Sequence, residues 1–105
     1  MVTKAQILKL VQILVNEYRP KKIILFGSYA YGYPKEFSDL DILIIKDSEL
    51  PRFKRSREVR KLLRGLINIP KDILVYTPAE VEEWKEVDQA FITEIIKDGQ
   101  VLYEN

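Results

Sequence analysis

Apolar residues recur at helical spacing over residues 3–18, where Ile7, Leu10, Val11, Leu14 and Tyr18 share one face. Thr3 stands where an N-cap belongs, and Pro20 lies just past the end. The period then shortens. Lys22 to Phe26 is a short apolar, β-branched run entering Gly27, which predicts a buried strand. Residues 27–38 gather the turn formers Gly27, Ser28, Gly32 and Pro34 among three tyrosines. Leu40 to Ile45 is apolar except at Asp41 and predicts a central strand covered on both faces. After a loop over 46–51, Val59, Leu62, Leu63 and Leu66 mark one face of a helix from Arg52 to Leu66. Asp72 to Tyr76 predicts a third strand. Thr77-Pro78-Ala79-Glu80 is a capping box with proline at the first helical position. The apolar positions that follow, Val81, Trp84, Val87, Phe91 and Ile95, predict helix with or without a break, and assign Trp84, Val87 and Phe91 to the core. Gly99 suits a C′ residue, and Val101 to Tyr103 a short terminal strand.

The order α-β-β-α-β-α-β defines an α/β class: a small mixed β-sheet flanked by helices. The first two strands lie too close in sequence for a helical crossover, so they are expected to be antiparallel or joined by an irregular turn. At 105 residues the chain is expected to form one domain over 1–105. Its 47% hydrophobic content suffices for a core. Seventeen Lys and Arg against sixteen Asp and Glu give +1, which argues against a blanket nucleic-acid binder but permits a local basic patch. Cysteine is absent, excluding disulfides and thiol nucleophiles and fitting a reducing, cytoplasmic location. Histidine is absent too, so no imidazole base or His-rich zinc site is possible. Chemistry must rest on carboxylates, Lys and Arg, hydroxyls, backbone and a hard metal. No segment reads as a signal peptide or a membrane span.

Asp39 and Asp41 are two apart at the start of a strand, with α-carbons about 6.6 Å apart, so both side chains project from one face and can share a small cation. A turn residue and a lysine-paired aspartate would give the same spelling. Asp41 also interrupts an apolar strand, where a carboxylate is costly unless a cation or hydrogen bonds compensate it. Gly27-Ser28 ends the preceding strand in a turn that lets backbone amides and a hydroxyl approach an anion. Gly27 and Gly32 have P-loop spacing, but Tyr33-Pro34 stands where Lys-Ser/Thr is required, so a P-loop is excluded. Asp72 opens the next strand and joins Asp39 and Asp41 if those strands are adjacent. Three carboxylates, a phosphate-friendly turn and no histidine suit Mg²⁺-dependent phosphoryl or nucleotidyl transfer.

Gly27-Ser28, ten residues, then Asp39-Leu40-Asp41 resembles the signature of the polymerase-β-like nucleotidyltransferase superfamily. The short length resembles its minimal members, the MNT proteins. Ser38, the Asp72 strand and the ending Asp98-Gly99-Gln100-Val101-Leu102-Tyr103-Glu104 extend the likeness over nearly the whole chain. The resemblance implies ATP as substrate, Mg²⁺ held by Asp39, Asp41 and Asp72, and phosphates bound at Gly27 and Ser28. It also implies a HEPN-type toxin as partner in a hetero-oligomer, AMP transfer to a tyrosine of that toxin, and an antitoxin role. Alternatives are an antitoxin acting by contact alone, and a detached catalytic subunit that modifies RNA or a small molecule. Family members often carry arginine where this chain has Tyr31. A basic segment, Arg52, Lys54, Arg55, Arg57, Arg60, Lys61 and Arg64, reads equally as a solvated face or as a surface for an acidic partner, the triphosphate or RNA.

Overall fold

The computed structural model describes residues 2–36, 38–65, 68, 70–87 and 90–105. The elements are α1 (Lys4–Glu17), β1 (Lys22–Phe26), α2 (Ser28–Tyr31), β2 (Leu40–Ile45), α3 (Arg52–Leu63), β3 (Lys71–Tyr76), α4 (Pro78–Trp84), α5 (Phe91–Asp98) and β4 (Gln100–Glu104). The four strands form one mixed sheet in the order β3-β2-β1-β4. β1 pairs antiparallel with both β2 and β4, and β2 pairs parallel with β3 through the α3 crossover. The expected antiparallel start is therefore correct, and its connection contains a single helical turn, α2. No helix among the described residues is long and apolar enough to cross a membrane.

Strand alternation divides the core in two. On one face Ile23, Leu25, Leu40, Ile42, Ile44, Ile73 and Val75 pack beneath Leu10, Val11 and Leu14 of α1 and Val59 and Leu63 of α3. On the other, Ile24, Phe26 and Leu43 pack against Ile92 and Ile95 of α5. The sheet is thus covered on both sides at β1 and β2, as the apolar run over residues 42–45 of β2 requires.

Two sequence expectations change. Trp84, Val87 and Phe91 are not core: they are 43, 44 and 59% exposed, and α5 buries Ile92 and Ile95 instead. The continuous period overlooked that α4 ends at Trp84 and α5 restarts at Phe91 with a new phase. Gly99 is not left-handed, because its φ is −74°. It is glycine for space: a Cβ would collide with the Ile24 side chain and the Ile95 carbonyl. Helix α3 stops at Leu63, and the proposed end at Leu66 lies outside the described residues.

The capping box of α4 is present and carries a second duty. The Glu80 carboxylate accepts from the Thr77 amide at 2.8 Å and from Arg55 Nη1 at 2.6 Å. Arg55, only 7% exposed, also donates to the carbonyls of Leu50 (2.8 Å) and Val75 (3.2 Å). Arg52 lies 3.6 Å from the same carboxylate and 4.2 Å from the centre of the Tyr76 ring. One member of the basic segment is therefore a buried tie between α3, β3 and α4. Burial raises the Glu80 pKa, but the Arg55 and Thr77 hydrogen bonds and the charges of Arg55 and Arg52 outweigh it, leaving a net depression. Such a carboxylate contributes stability above its unfolded pKa of about 4.3 and loses it as pH falls through the lower folded value. Glu80→Gln should cost about 3 kcal/mol at pH 7 by leaving Arg55 buried without its counter-charge. The loss should narrow below pH 4, measured by urea denaturation across pH 3–7.

Candidate functional site

The sheet register brings the carboxylates together. Asp41 is the second residue of β2, and its direct partner across the parallel pair is Asp72 of β3. Across the antiparallel pair its partner is Phe26, the last residue of β1. Alternation puts Asp41, Asp72 and Phe26 on the α5 side of the sheet, at the end where β1 finishes and β2 and β3 begin. Asp39 lies two residues before Asp41, exposed, just ahead of the strand. Among the described residues no three acidic side chains already form a metal-binding cluster. The three charges are nonetheless coupled: burial, then Asp72, then Asp39 push the Asp41 carboxyl up to about 6.

Gly27 completes the floor. Its φ of 73° and ψ of −159° suit glycine alone, and a Cβ there would overlap the Asp41 carboxylate. The strand therefore ends in a residue without a side chain because the carboxylate occupies that space. The Gly27 carbonyl then accepts from the amides of Ala30 (3.0 Å) and Tyr31 (3.2 Å), winding α2 as one tight turn with half-buried Ser28 at its start. Gly32 closes it in the left-handed region with φ 82°. Of the three tyrosines, Tyr29 is anchored, its hydroxyl accepting from the Val2 amide at 3.0 Å, while Tyr31 and Tyr33 are 53 and 80% exposed.

All five residues expected from the sequence fall at this end of the sheet. Sequence reading missed Phe26, whose place opposite Asp41 depends on strand register, and the packing of Gly27 on Asp41. An all-oxygen donor set with repelling, partly desolvated carboxylates fits a hard divalent cation such as Mg²⁺.

A mixed sheet with paired carboxylates beside a Gly-Ser turn defines a nucleotidyltransferase domain, and comparison with known proteins agrees. The polymerase beta nucleotidyltransferase family pattern matches residues 8–105. The chain belongs to that family. A Methanocaldococcus jannaschii protein, provisionally named a protein adenylyltransferase, is 36% identical over 97 residues, covering 89% of this chain and 90% of its own. A second protein from that organism, under the same kind of name, is 38% identical over 61 residues, 58% of this chain and 70% of its own. The crystal structure of a provisionally named nucleotidyltransferase from Sulfolobus solfataricus superposes with a TM-score of 0.62 at 25% identity, over 97% of this chain and 86% of that one. A chain of a toxin–antitoxin complex solved with AMP-PNP gives 0.63 at 23% identity, over 99% and 75%, which supports the fold.

Ionising Asp41 in this setting opposes folding. Its raised pKa means that stability falls as pH climbs from about 4 to about 6, opposite to the behaviour of Glu80. Asp41→Asn should therefore stabilise the metal-free protein by about 1–2 kcal/mol at pH 7.5, after allowance for solvent screening, and by nothing near pH 3.5. Thermal melts at both pH values test it. Gly27→Ala should destabilise by at least about 2 kcal/mol through the left-handed φ and the displaced carboxylate. Chemical denaturation reads that loss directly.

Proposed function

We propose that this chain is an Mg²⁺-dependent adenylyltransferase that moves AMP from ATP to a tyrosine hydroxyl of a HEPN-type toxin, and so acts as its antitoxin. The observation that carries the reading is the Asp41 carboxylate packed on Gly27 with Asp72 as its strand neighbour. Carboxylates crowded at a point reached by a glycine turn suit a substrate whose phosphates bring a cation. The names of the archaeal relatives and the toxin–antitoxin fold neighbours support the choice of acceptor class.

Asp39, Asp41 and Asp72 would hold the Mg²⁺, which supplies charge neutralisation at the triphosphate and the α-phosphorus. Gly27 and Ser28 bind the β- and γ-phosphates through backbone and hydroxyl. Asp72, on the edge strand, stands on the acceptor side and takes the tyrosine proton, since a free phenol with pKa near 10 is a poor nucleophile at neutral pH. The tyrosine oxygen forms a bond to the α-phosphorus, the bond to the β-phosphate oxygen breaks, and pyrophosphate leaves. Most of the rate gain is positioning.

Exposed Tyr31, standing where the family resemblance implies arginine, favours a second reading: neutralisation by contact, without turnover. Intact mass spectrometry separates the two. Incubation of the co-purified pair with Mg²⁺–ATP should add about 329 Da, or multiples, to the partner through transfer of AMP. Asp41→Asn and EDTA should each abolish the increment. A neutralised partner of unchanged mass would establish the contact reading, and a modified RNA or small molecule a detached transferase.

A further inference from the structure

One of the apolar residues that the sequence assigns to the core and the fold leaves at the surface, Phe91, packs on the strand partner of Asp41. Phe26 is Asp41's direct antiparallel partner, so the two α-carbons are about 5 Å apart and their side chains rise from one face. Phe26 is buried, with only 6% of its surface exposed. The Phe91 ring packs on it edge to face, with centroids 5.9 Å apart at 85°, yet Phe91 remains 59% exposed. Phe91 opens α5 and is held in place. The next turn buries Ile92 and Ile95 in the sheet, and Thr93 Oγ1 donates to the Trp84 carbonyl at 2.7 Å, tying the start of α5 to the end of α4. A largely exposed aromatic ring therefore packs directly on the residue opposite Asp41.

We infer that Phe91 is the base-stacking residue of the nucleotide site: the nucleobase lies against the free surface of its ring while the phosphates lie over Asp41 and Gly27. This rests on the nucleotidyl-transfer reading and adds to it a positioning residue on an element outside the Gly-Ser and aspartate motifs. In a nucleotide one sugar separates the base from the α-phosphate, and in the fold one residue, Phe26, stands between Asp41, its strand partner, and Phe91, its ring partner. Every base has a π-face, so such a platform contributes affinity and orientation without reading hydrogen-bond patterns. Purines, with the larger face, should bind more tightly than pyrimidines, with little discrimination between ATP and GTP.

The test uses two probes, Mg²⁺–ATP and Mg²⁺ with inorganic triphosphate, titrated calorimetrically into wild type, Phe91→Ala, Phe91→Trp and Asp41→Asn. The inference expects Phe91→Ala to weaken ATP about tenfold, Phe91→Trp to bind ATP at least as tightly as wild type, and neither to change triphosphate affinity. Asp41→Asn should weaken both probes alike. Because Phe91 is half exposed, its loss should leave the circular dichroism spectrum unchanged. Phe91→Leu, which keeps an apolar contact but no π-face, should resemble Phe91→Ala. Unchanged ATP affinity in Phe91→Ala overturns the inference while the carboxylate site stands. The same follows if ATP is retained and a co-purifying partner protein is lost, which would make the patch a protein contact. Wild type that binds neither probe overturns the inference and the nucleotidyl-transfer reading together.

Discussion

A single ionisable group sits near the start of an otherwise apolar strand, and the surrounding structure is arranged around that placement. Asp41 lies in β2, whose other five residues are buried, between an antiparallel neighbour that ends in Phe26 and a parallel neighbour that begins with Lys71-Asp72. Its charge is raised in free energy by burial and by two like charges, so the metal-free fold carries a local penalty. Packing elsewhere offsets it: the two-sided core across β1 and β2 fixes the strand so that the carboxylate cannot turn away. On the proposed reading the penalty would also favour cation binding, because a cation removes the repulsion between these carboxylates.

The same constraint explains the neighbours. With the carboxylate pressed on the end of β1, residue 27 can bear no side chain, and its left-handed φ starts the turn that becomes α2. The parallel pairing that sets Asp72 beside Asp41 requires a crossover, and α3 supplies it. Arg55, buried in that crossover, is bound to β3 through the Val75 carbonyl and to α4 through Glu80. The tie lies at the far end of β3 from Asp72, so it holds the strand while leaving the acidic end open.

Much of this was legible before any coordinates. Strand positions, the antiparallel start, the α4 capping box and the group Gly27, Ser28, Asp39, Asp41 and Asp72 all follow from local spelling, because turns, caps and alternation are short-range rules. What escaped is long-range. Helical spacing puts Arg55 on the face of Val59 and Leu63, but it does not reveal the partner that makes a buried guanidinium tolerable there: Glu80, 25 residues away. The exposure of Trp84 and Phe91 was invisible because periodicity reports which residues are apolar and not whether a second surface is available to cover them. The contact of Gly27 with Asp41, and of Phe26 with the site, depends on strand register, which no single strand encodes.

The position of Asp72 has one more consequence. β3 is an edge of the sheet, with neighbours on one side only, and its residues from Ile73 to Tyr76 would offer an apolar template for another chain to pair with. Edges of this kind are kept monomeric by charge, and Lys71-Asp72 puts both signs at the opening of the strand. A carboxylate at the acidic end therefore also guards against edge-to-edge association. Loss of the acid at 72 would remove one of the two charges that open this edge, whatever its part in the proposed chemistry.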